Sequence, residues 1–396
     1  MKDADVVVVG GGIGGMTAAL LFADIGAQVT LLERVDAPAA VGAGILLQPN
    51  GLAVFAALGL GDALEAAGHS PRTSALRTAS GTKIADLTPP DTGRPWDHLL
   101  ALRRSNLYQI LVDAVTDRSG IATRFGCEVT ATRGDGTVEL RCRDRAGTLT
   151  ADLVVGADGV GSAVRRSQRF GARVRDTGAR YVRGLVGGAG LDLEGEYWTP
   201  AGLFGGAPVG DMTTYFYASA TAPPVAAAVA AGDLAALRAA WASALPATAP
   251  VLGRVRAFDD LLINDVRRVD CDRWHDGRSV LLGDAAHAMA PTLGQGANSA
   301  IVDAAVLTDE LSTDGGTAEA LERYSARRKA AVTRVQNHAD RLATMSSISR
   351  PWLRMLRDTG LRAAALLPAS AARLAEMVQQ EDPAELHRTV AQRRLG

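Results

Sequence analysis

The residues best placed to do chemistry are three glycines near the start of a 396-residue chain. Gly10, Gly12 and Gly15 stand in G-x-G-x-x-G spacing, and Glu33 follows about twenty residues later. Such a set suits a pyrophosphate. Gly10 permits a tight turn, Gly12 lets the backbone approach phosphate, and Gly15 lets helix and strand pack closely. Unpaired N–H groups at the helix N-terminus face the anion, and Glu33 can accept hydrogen bonds from a ribose. The elements that position them are legible too. Residues 6–9 form an apolar β-branched run of strand length, 16–27 read as an Ala- and Leu-rich helix, and 28–32 as a second strand. Strand, helix, strand and terminal acid together favour dinucleotide binding over a Gly-rich turn in an ordinary α/β protein. They do not decide between NAD and FAD.

A second glycine-rich helix start lies near residue 295. A buried strand at 279–282 ends at Gly283-Asp284, and Pro291 breaks the chain. Gly294, Gln295 and Gly296 then lead into a long helix from about Ala297, with no P-loop lysine. Its N–H groups can bind an anion or stabilise negative charge on a ring. His287, between the two, reads more readily as structural than as catalytic. Asp158-Gly159 follow another apolar strand, with Ser162 and Arg165 on the turn and helix beyond. A plain β-turn is one reading; a place at a strand C-terminus, where open α/β sheets bind ligands, favours a site. Arg103 and Arg104 precede a helix at its N-terminus, where the macrodipole disfavours cations. Either one meets a phosphate or other anion, or they form a surface ion pair. Gly42 and Gly44 stand just before an apolar run, 45–47, and suit either a plain loop or a backbone lying against a flat ligand.

The 42 basic and 43 acidic residues leave a net charge of −1, which gives no electrostatic reason to expect nucleic acid. Cys127, Cys142 and Cys271 are scattered and suit three free thiols in a reducing cytoplasm. The chain runs directly into a strand, so no signal peptide is expected, and no run of about 18 apolar residues suggests a membrane span. No clustered His, Cys, Asp and Glu suggest a metal site, and nothing fixes an oligomeric state.

Between the glycine motifs the texture changes. Residues 74–87 read as a hairpin, and 128–133, 137–144 and 149–155 as three strands. Aromatic and β-branched segments from about 175 to 265 read as an antiparallel sheet, with an Ala-rich helical region at 223–245. The expected division is a discontinuous dinucleotide-binding domain (1–72, 97–175 and 267–345), a substrate domain (73–96 and 176–266) and a C-terminal helical segment (346–396). The fold class is α/β: a Rossmann-like domain with an inserted antiparallel sheet and C-terminal helices.

Taken together, Gly10/Gly12/Gly15 with Glu33-Arg34, Asp158-Gly159 with Ser162 and Arg165, and Gly283-Asp284 through Pro291, Gly294, Gln295, Gly296 and Asn298 resemble three fingerprints. They are those of the single-component FAD-dependent aromatic hydroxylases, the family of 4-hydroxybenzoate and salicylate hydroxylases and tetracycline-inactivating monooxygenases. The 42–50 segment leans toward the salicylate, urate and tetracycline branch. The resemblance implies resident FAD, with NADPH or NADH as a transient co-substrate and O₂ as oxidant. It implies that the glycines, Glu33, Arg34 and Arg104 hold the ADP half, that Asp158 contacts FAD and the nicotinamide reductant, and that Asp284 bonds the ribityl chain. Gly44, Pro291, Gly294, Gly296, Ala297 and Asn298 would border the flavin ring, with Pro291, Gly294, Gln295 and Gly296 at the reacting centre. Oxygen transfer through a flavin C4a-hydroperoxide into an aromatic carbon would follow. Epoxidation or Baeyer–Villiger insertion, or flavin binding without turnover, are the alternatives.

The middle segment shows no obvious carboxylate-binding arginine, so the resemblance points to an aromatic or polycyclic, mostly uncharged substrate. Leu203, Tyr215 and Tyr217 are its expected contacts. Leu203 and Phe204 are neighbours and cannot both face it unless the strand bulges, whereas Tyr215 and Tyr217 can share a face.

Overall fold

Four consecutive valines, Val6 to Val9, are all less than 5% exposed, as befits a parallel strand covered on both faces. In the computed structural model their strand, Asp5–Val9, lies within a six-stranded sheet. The structure describes residues 1–396 except 37–42, 72–73, 90–91, 144, 189–193, 314 and 395–396, so Gly42 lies outside the described residues. Asp5–Val9 pairs in parallel with Gln28–Leu32 and Leu153–Gly156. Ile121–Arg124 and Ser279–Leu281 extend the sheet in parallel on either side, and the short strand His275–Asp276 closes one edge antiparallel. The helix Ile13–Asp24 is buried from Ile13 to Phe22 and packs against Gln295–Ser312. A helix apolar all round must be so enclosed. Gly10, Glu33, Asp158 and Asp284 all follow the C-terminal ends of the parallel strands.

A seven-stranded sheet runs in the order Leu262–Asp270, Arg173–Gly187, Thr213–Ser219, Gly202–Pro208, Gly195–Thr199, Ala75–Thr78, Lys83–Asp86. Its pairs are antiparallel except Gly195–Thr199 with Ala75–Thr78, which run parallel. This departs from a wholly antiparallel sheet because the 74–87 hairpin comes from a distant part of the chain and adds to the sheet edge. Period-two alternation sorts the side chains. Val182, Phe204, Phe216 and Ala218 face the helices Pro223–Ala231 and Leu234–Ala244, where Phe204 meets Trp241 edge-on at 5.0 Å. Burying Phe204, Phe216 or Trp241 is worth on the order of 1.5–3 kcal/mol each. The opposite face carries Tyr181, Arg183, Tyr215, Tyr217 and Leu203. Leu203 and Phe204 thus take opposite faces without a bulge.

The expected strand at 149–155 divides in two. Arg145–Thr150 completes an antiparallel meander with Cys127–Thr132 and Thr137–Cys142, and Leu153–Gly156 starts afresh in the parallel sheet. Asp152 N–H bonds Asp5 O at 2.8 Å, marking the transfer between sheets. In the meander Cys127 and Cys142 are cross-strand partners and form a disulfide. The expectation of three free thiols is corrected: register, invisible in the spacing, brings two together, and the free, buried thiol is Cys271.

After the long helix Thr317–Ser346 come Pro351–Ala365, Pro368–Gln379 and Pro383–Arg394, each opened by a proline that fits the first helical turn. The last packs on Pro49–Ala57 and Gln295–Ser312, and Arg393 Nη1 donates to Thr308 O at 2.7 Å. Among the described residues no helix is long and apolar enough to cross a membrane.

Candidate active site

Gly10 has φ +106°, and a Cβ on Gly15 would fall 1.9 Å from Gly10 O, so the turn and the helix packed on it both require glycine. Gly12 caps the helix in extended conformation, with nothing within 4 Å of where a Cβ would be. The helix N-terminus is therefore open to an incoming group. Glu33 accepts from Gly11 N at 2.7 Å and Val35 N at 3.0 Å, which braces the turn and leaves further lone pairs. Arg34 is exposed and unpaired among the described residues.

The second motif braces the third. Asp158 Oδ2 accepts from Ala163 N at 2.6 Å and Val164 N at 3.2 Å, capping the helix Ala163–Ser167. Its Oδ1 is buried without a partner, and burial raises the carboxyl pKa. Ser162 Oγ accepts from Arg165 N, and the Arg165 guanidinium donates to Val160 O and, at 2.7 Å, to Ala285 O. Beside Ala285, Asp284 is exposed and has no hydrogen bond or ion pair among the described residues.

Arg104 lies within electrostatic reach of this aspartate. Burial by the surrounding protein depresses its pKa; Asp284 pushes it up, Arg183 down and Tyr215 up. Arg104, Asp284, Arg183 and Tyr215 therefore share one electrostatic neighbourhood. Neither arginine has a hydrogen-bonded or ionic partner for its side chain among the described residues. Arg103 is instead a tie between sheets, donating to Thr213 Oγ1 at 2.6 Å.

At the second glycine turn, Pro291–Leu293 forms a 3₁₀ turn and Gly294 is left-handed at φ +63°, ψ +17°. The helix starts at Gln295, and the N–H groups of Gln295, Gly296 and Ala297 have no intrahelical acceptor. Space lies open above Gly296. The polar side chains turn the other way. Asn298, fully buried, donates to Leu46 O and Gly294 O and accepts from Gln48 N, fastening this turn to the strand Gly44–Leu47. Gln295 bonds Gln48, Asn50 and Gln380, so its side chain points into the protein and only its backbone borders the cleft. His287 is buried, hydrogen-bonded through Nε2 to Asp303 and stacked on Trp274. Asp303 also holds Arg328 Nε at 2.8 Å and Gly283 N at 2.9 Å.

The sheet face carrying Leu203, Tyr215 and Tyr217 packs toward these elements. Tyr215 clusters with Ala43 and Ala101, Leu203 clusters with Trp198 and Ala290, and Tyr217 borders both groups. The sequence reading expects no cation here, yet Arg183 stands on this face directly opposite Tyr217. Alternation along Arg173–Gly187 determines its side, and that became fixed only with the register. Glu196 was missed as well: it shares the face and receives the Tyr217 hydroxyl at 2.9 Å.

An orphaned carboxylate oxygen on Asp158, an open glycine-capped helix and the free Asp284 carboxylate, all at strand C-termini, fit FAD. Fold and site together define a flavin-dependent oxidoreductase. The chain matches the FAD binding domain family over residues 3–339 and belongs to it. It is 34% identical over 332 residues to aurachin C monooxygenase/isomerase of Stigmatella aurantiaca, covering 81% of this chain and 84% of the relative. It is 34% identical over 357 residues to 3-amino-4-hydroxybenzoate 2-monooxygenase of Streptomyces cremeus, covering 86% and 87%. A Klebsiella pneumoniae HpxO variant solved with FAD superposes with TM-score 0.80 at 25% identity, over 95% of this chain and 99% of that one. The protein is a single-component FAD-dependent monooxygenase, and the non-catalytic alternative is not favoured.

Proposed function

We propose that the enzyme consumes NADPH or NADH and O₂ and hydroxylates an aromatic or polycyclic substrate that is neutral overall. The observation that carries this reading is the face shared by Leu203, Tyr215 and Tyr217, which besides the tyrosine hydroxyls and the Asn264 amide carries one cation, Arg183, and one carboxyl, Glu196. Opposite groups on one face suit a ring system with hydrogen-bonding substituents better than a bare anion, whose desolvation an apolar wall does not offset. The aromatic substrate named for the Streptomyces relative supports the class.

Bound FAD supplies the reduction of O₂ and the transfer of one oxygen atom. The chain's own residues do the rest. Gly10, Gly12 and Gly15 with the open helix end receive the pyrophosphate, Glu33 and Arg34 the adenosine side, and Arg104 a phosphate. Asp158, through its free oxygen, contacts the cofactor or the reductant, and Asp284 accepts from the ribityl hydroxyls. Pro291, Gly294, Gly296, Ala297 and Asn298 border the ring with Gly44, and the helix N-terminus favours negative charge there. Leu203 and Tyr215 keep water away. In this reading residues 1–72, 97–175 and 267–345 form the cofactor domain, 73–96 and 176–266 the substrate domain, and 346–396 a helical closure. A cytoplasmic location fits the need for nicotinamide reductant.

The test is NAD(P)H oxidation by the purified holoenzyme with a panel of aromatics. Neutral phenols and polycyclic compounds should stimulate it more than benzoate or salicylate. Efficient, coupled hydroxylation of salicylate would overturn the neutral-substrate reading and give Arg183 the carboxylate.

A further inference from the structure

We propose that Glu196 is a positioning residue that sets substrate specificity: by accepting the hydrogen bond of the Tyr217 hydroxyl it leaves only the lone pairs of that oxygen for the substrate, so the pocket selects aromatics that present an O–H or N–H donor. The inference rests on Tyr217 facing the substrate, as in the reading above.

The arrangement is written in the sheet register. Glu196 pairs with Gly205 on the next strand, and Gly205 pairs with Tyr217 on the one after. Two strand spacings separate Glu196 from Tyr217, roughly 9–10 Å between backbones. A side chain on the intervening strand would block any contact. Gly205 has none, and the Tyr217 ring lies across the space: a Cβ at Gly205 would meet Tyr217 Cζ at 2.4 Å and Oη at 2.6 Å. The phenol thereby reaches the carboxyl and donates to Oε1 at 2.9 Å.

Glu196 has no ion-pair partner among the described residues, so its charge depends on donors. Burial pushes its pKa up to about 7, and the Tyr217 hydroxyl and Trp198 indole act against that rise. Tyr217 is held well above the ordinary phenol pKa by burial and by Glu196, so it remains a neutral phenol. A phenol has one proton. Once that proton is committed to Glu196, only lone pairs face the pocket. A substrate offering another acceptor there would leave two buried acceptors opposed and unsatisfied, a loss of roughly tenfold or more in affinity.

The groups facing this pair from every side are few. Arg183 is opposite Tyr217 on the neighbouring strand, and Tyr181 and Tyr215 lie on the same face. From the C-terminal helices Arg357 lies over the Trp198 ring at 5.0 Å and is paired with Asp358. Among the described residues none of these donates a hydrogen bond to Glu196 or to the Tyr217 oxygen, and the Trp198 indole, a donor only, leaves the carboxyl an acceptor, so the Tyr217–Glu196 bond runs from phenol to carboxyl.

The experiment compares 2-naphthol with 2-methoxynaphthalene, and 4-hydroxyquinoline with 4-methoxyquinoline, on the holoenzyme. Flavin spectral perturbation and stimulated NAD(P)H oxidation are the readouts. The wild type should prefer the donor of each pair by about tenfold or more, in Kd and KM rather than in kcat. Glu196→Leu should bring the ratio near one, because it removes the acceptor and frees the Tyr217 hydroxyl to donate to an ether, whereas Glu196→Gln, whose amide oxygen can still accept from Tyr217, should lower the ratio less. Tyr217→Phe should abolish discrimination too. If Tyr217→Phe removes the preference but Glu196→Leu keeps the wild-type ratio, the Glu196 role fails while the pocket stands. If Tyr217→Phe changes nothing, the pocket reading itself fails. Equal or absent response of the wild type to all four compounds also overturns the proposal. Should the Leu variant lose flavin, the wild-type ratio is read against pH: it should shrink as pH falls below about 7, and a flat profile contradicts the assignment.

Discussion

Tyr215 lies flat against Gly44: a Cβ on that glycine would fall 2.3 Å from the ring Cγ. The contact joins the seven-stranded sheet to the strand that Asn298 fastens to the second glycine turn. Gly44→Ala must displace Tyr215 or the strand. An overpacking cost of about 1–3 kcal/mol is expected, together with weaker FAD binding. Urea unfolding of the apoprotein and a flavin titration measure the two separately.

Asp284 has no partner to lose among the described residues, so Asp284→Ala should leave apoprotein stability nearly unchanged. Flavin affinity should fall by about 1.5–3 kcal/mol, because a charge-assisted acceptor for the ribityl chain is removed. Fluorescence titration with FAD checks this, and wild-type affinity would remove Asp284 from the site.

The two ends of the account were legible to different degrees. The glycine turns, Glu33 and Asp284 are local features, a strand, a turn and a helix in sequence order, and short-range pattern suffices to read them. The face of Arg183, the Glu196–Tyr217 bond and the Cys127–Cys142 bridge depend on which strands are neighbours and in what register. Spacing along the chain carries none of that, since a shift of one residue reverses every side chain. Gln295 shows the same limit within one motif: its backbone is where the pattern puts it, while its side chain serves contacts with Asn50 and Gln380.

Asp303 makes stability depend on acid. Burial alone would raise its pKa, but His287 and Arg328 hold it at about 2, below the ordinary 3.8. A depressed carboxyl pKa contributes stability above the unfolded value, and that contribution is lost as pH falls from 3.8 through about 2. Asp303→Asn should flatten the acid limb of a stability-against-pH curve. Asp303→Ala should cost about 3–5 kcal/mol at neutral pH, because the buried Arg328 loses its 2.8 Å carboxylate partner and keeps only Gln380 and the 3.4 Å contact to Glu381.

The disulfide changes a simple count. Thiol titration of unfolded, unreduced protein should find one reactive cysteine, Cys271, and reduction should raise the count to three. Opening the 15-residue separation should cost about 3 kcal/mol on a chain-entropy basis. Three thiols without reductant would contradict the bridge.

The central claim is that this chain uses flavin and O₂ to oxygenate an aromatic ring. The most direct measurement is turnover under ¹⁸O₂ with the best-stimulating aromatic and NAD(P)H, followed by mass spectrometry of the product. The account predicts one labelled oxygen per product molecule and none from labelled water. Product labelled from water, or NAD(P)H consumed with every labelled atom recovered as peroxide, would contradict it.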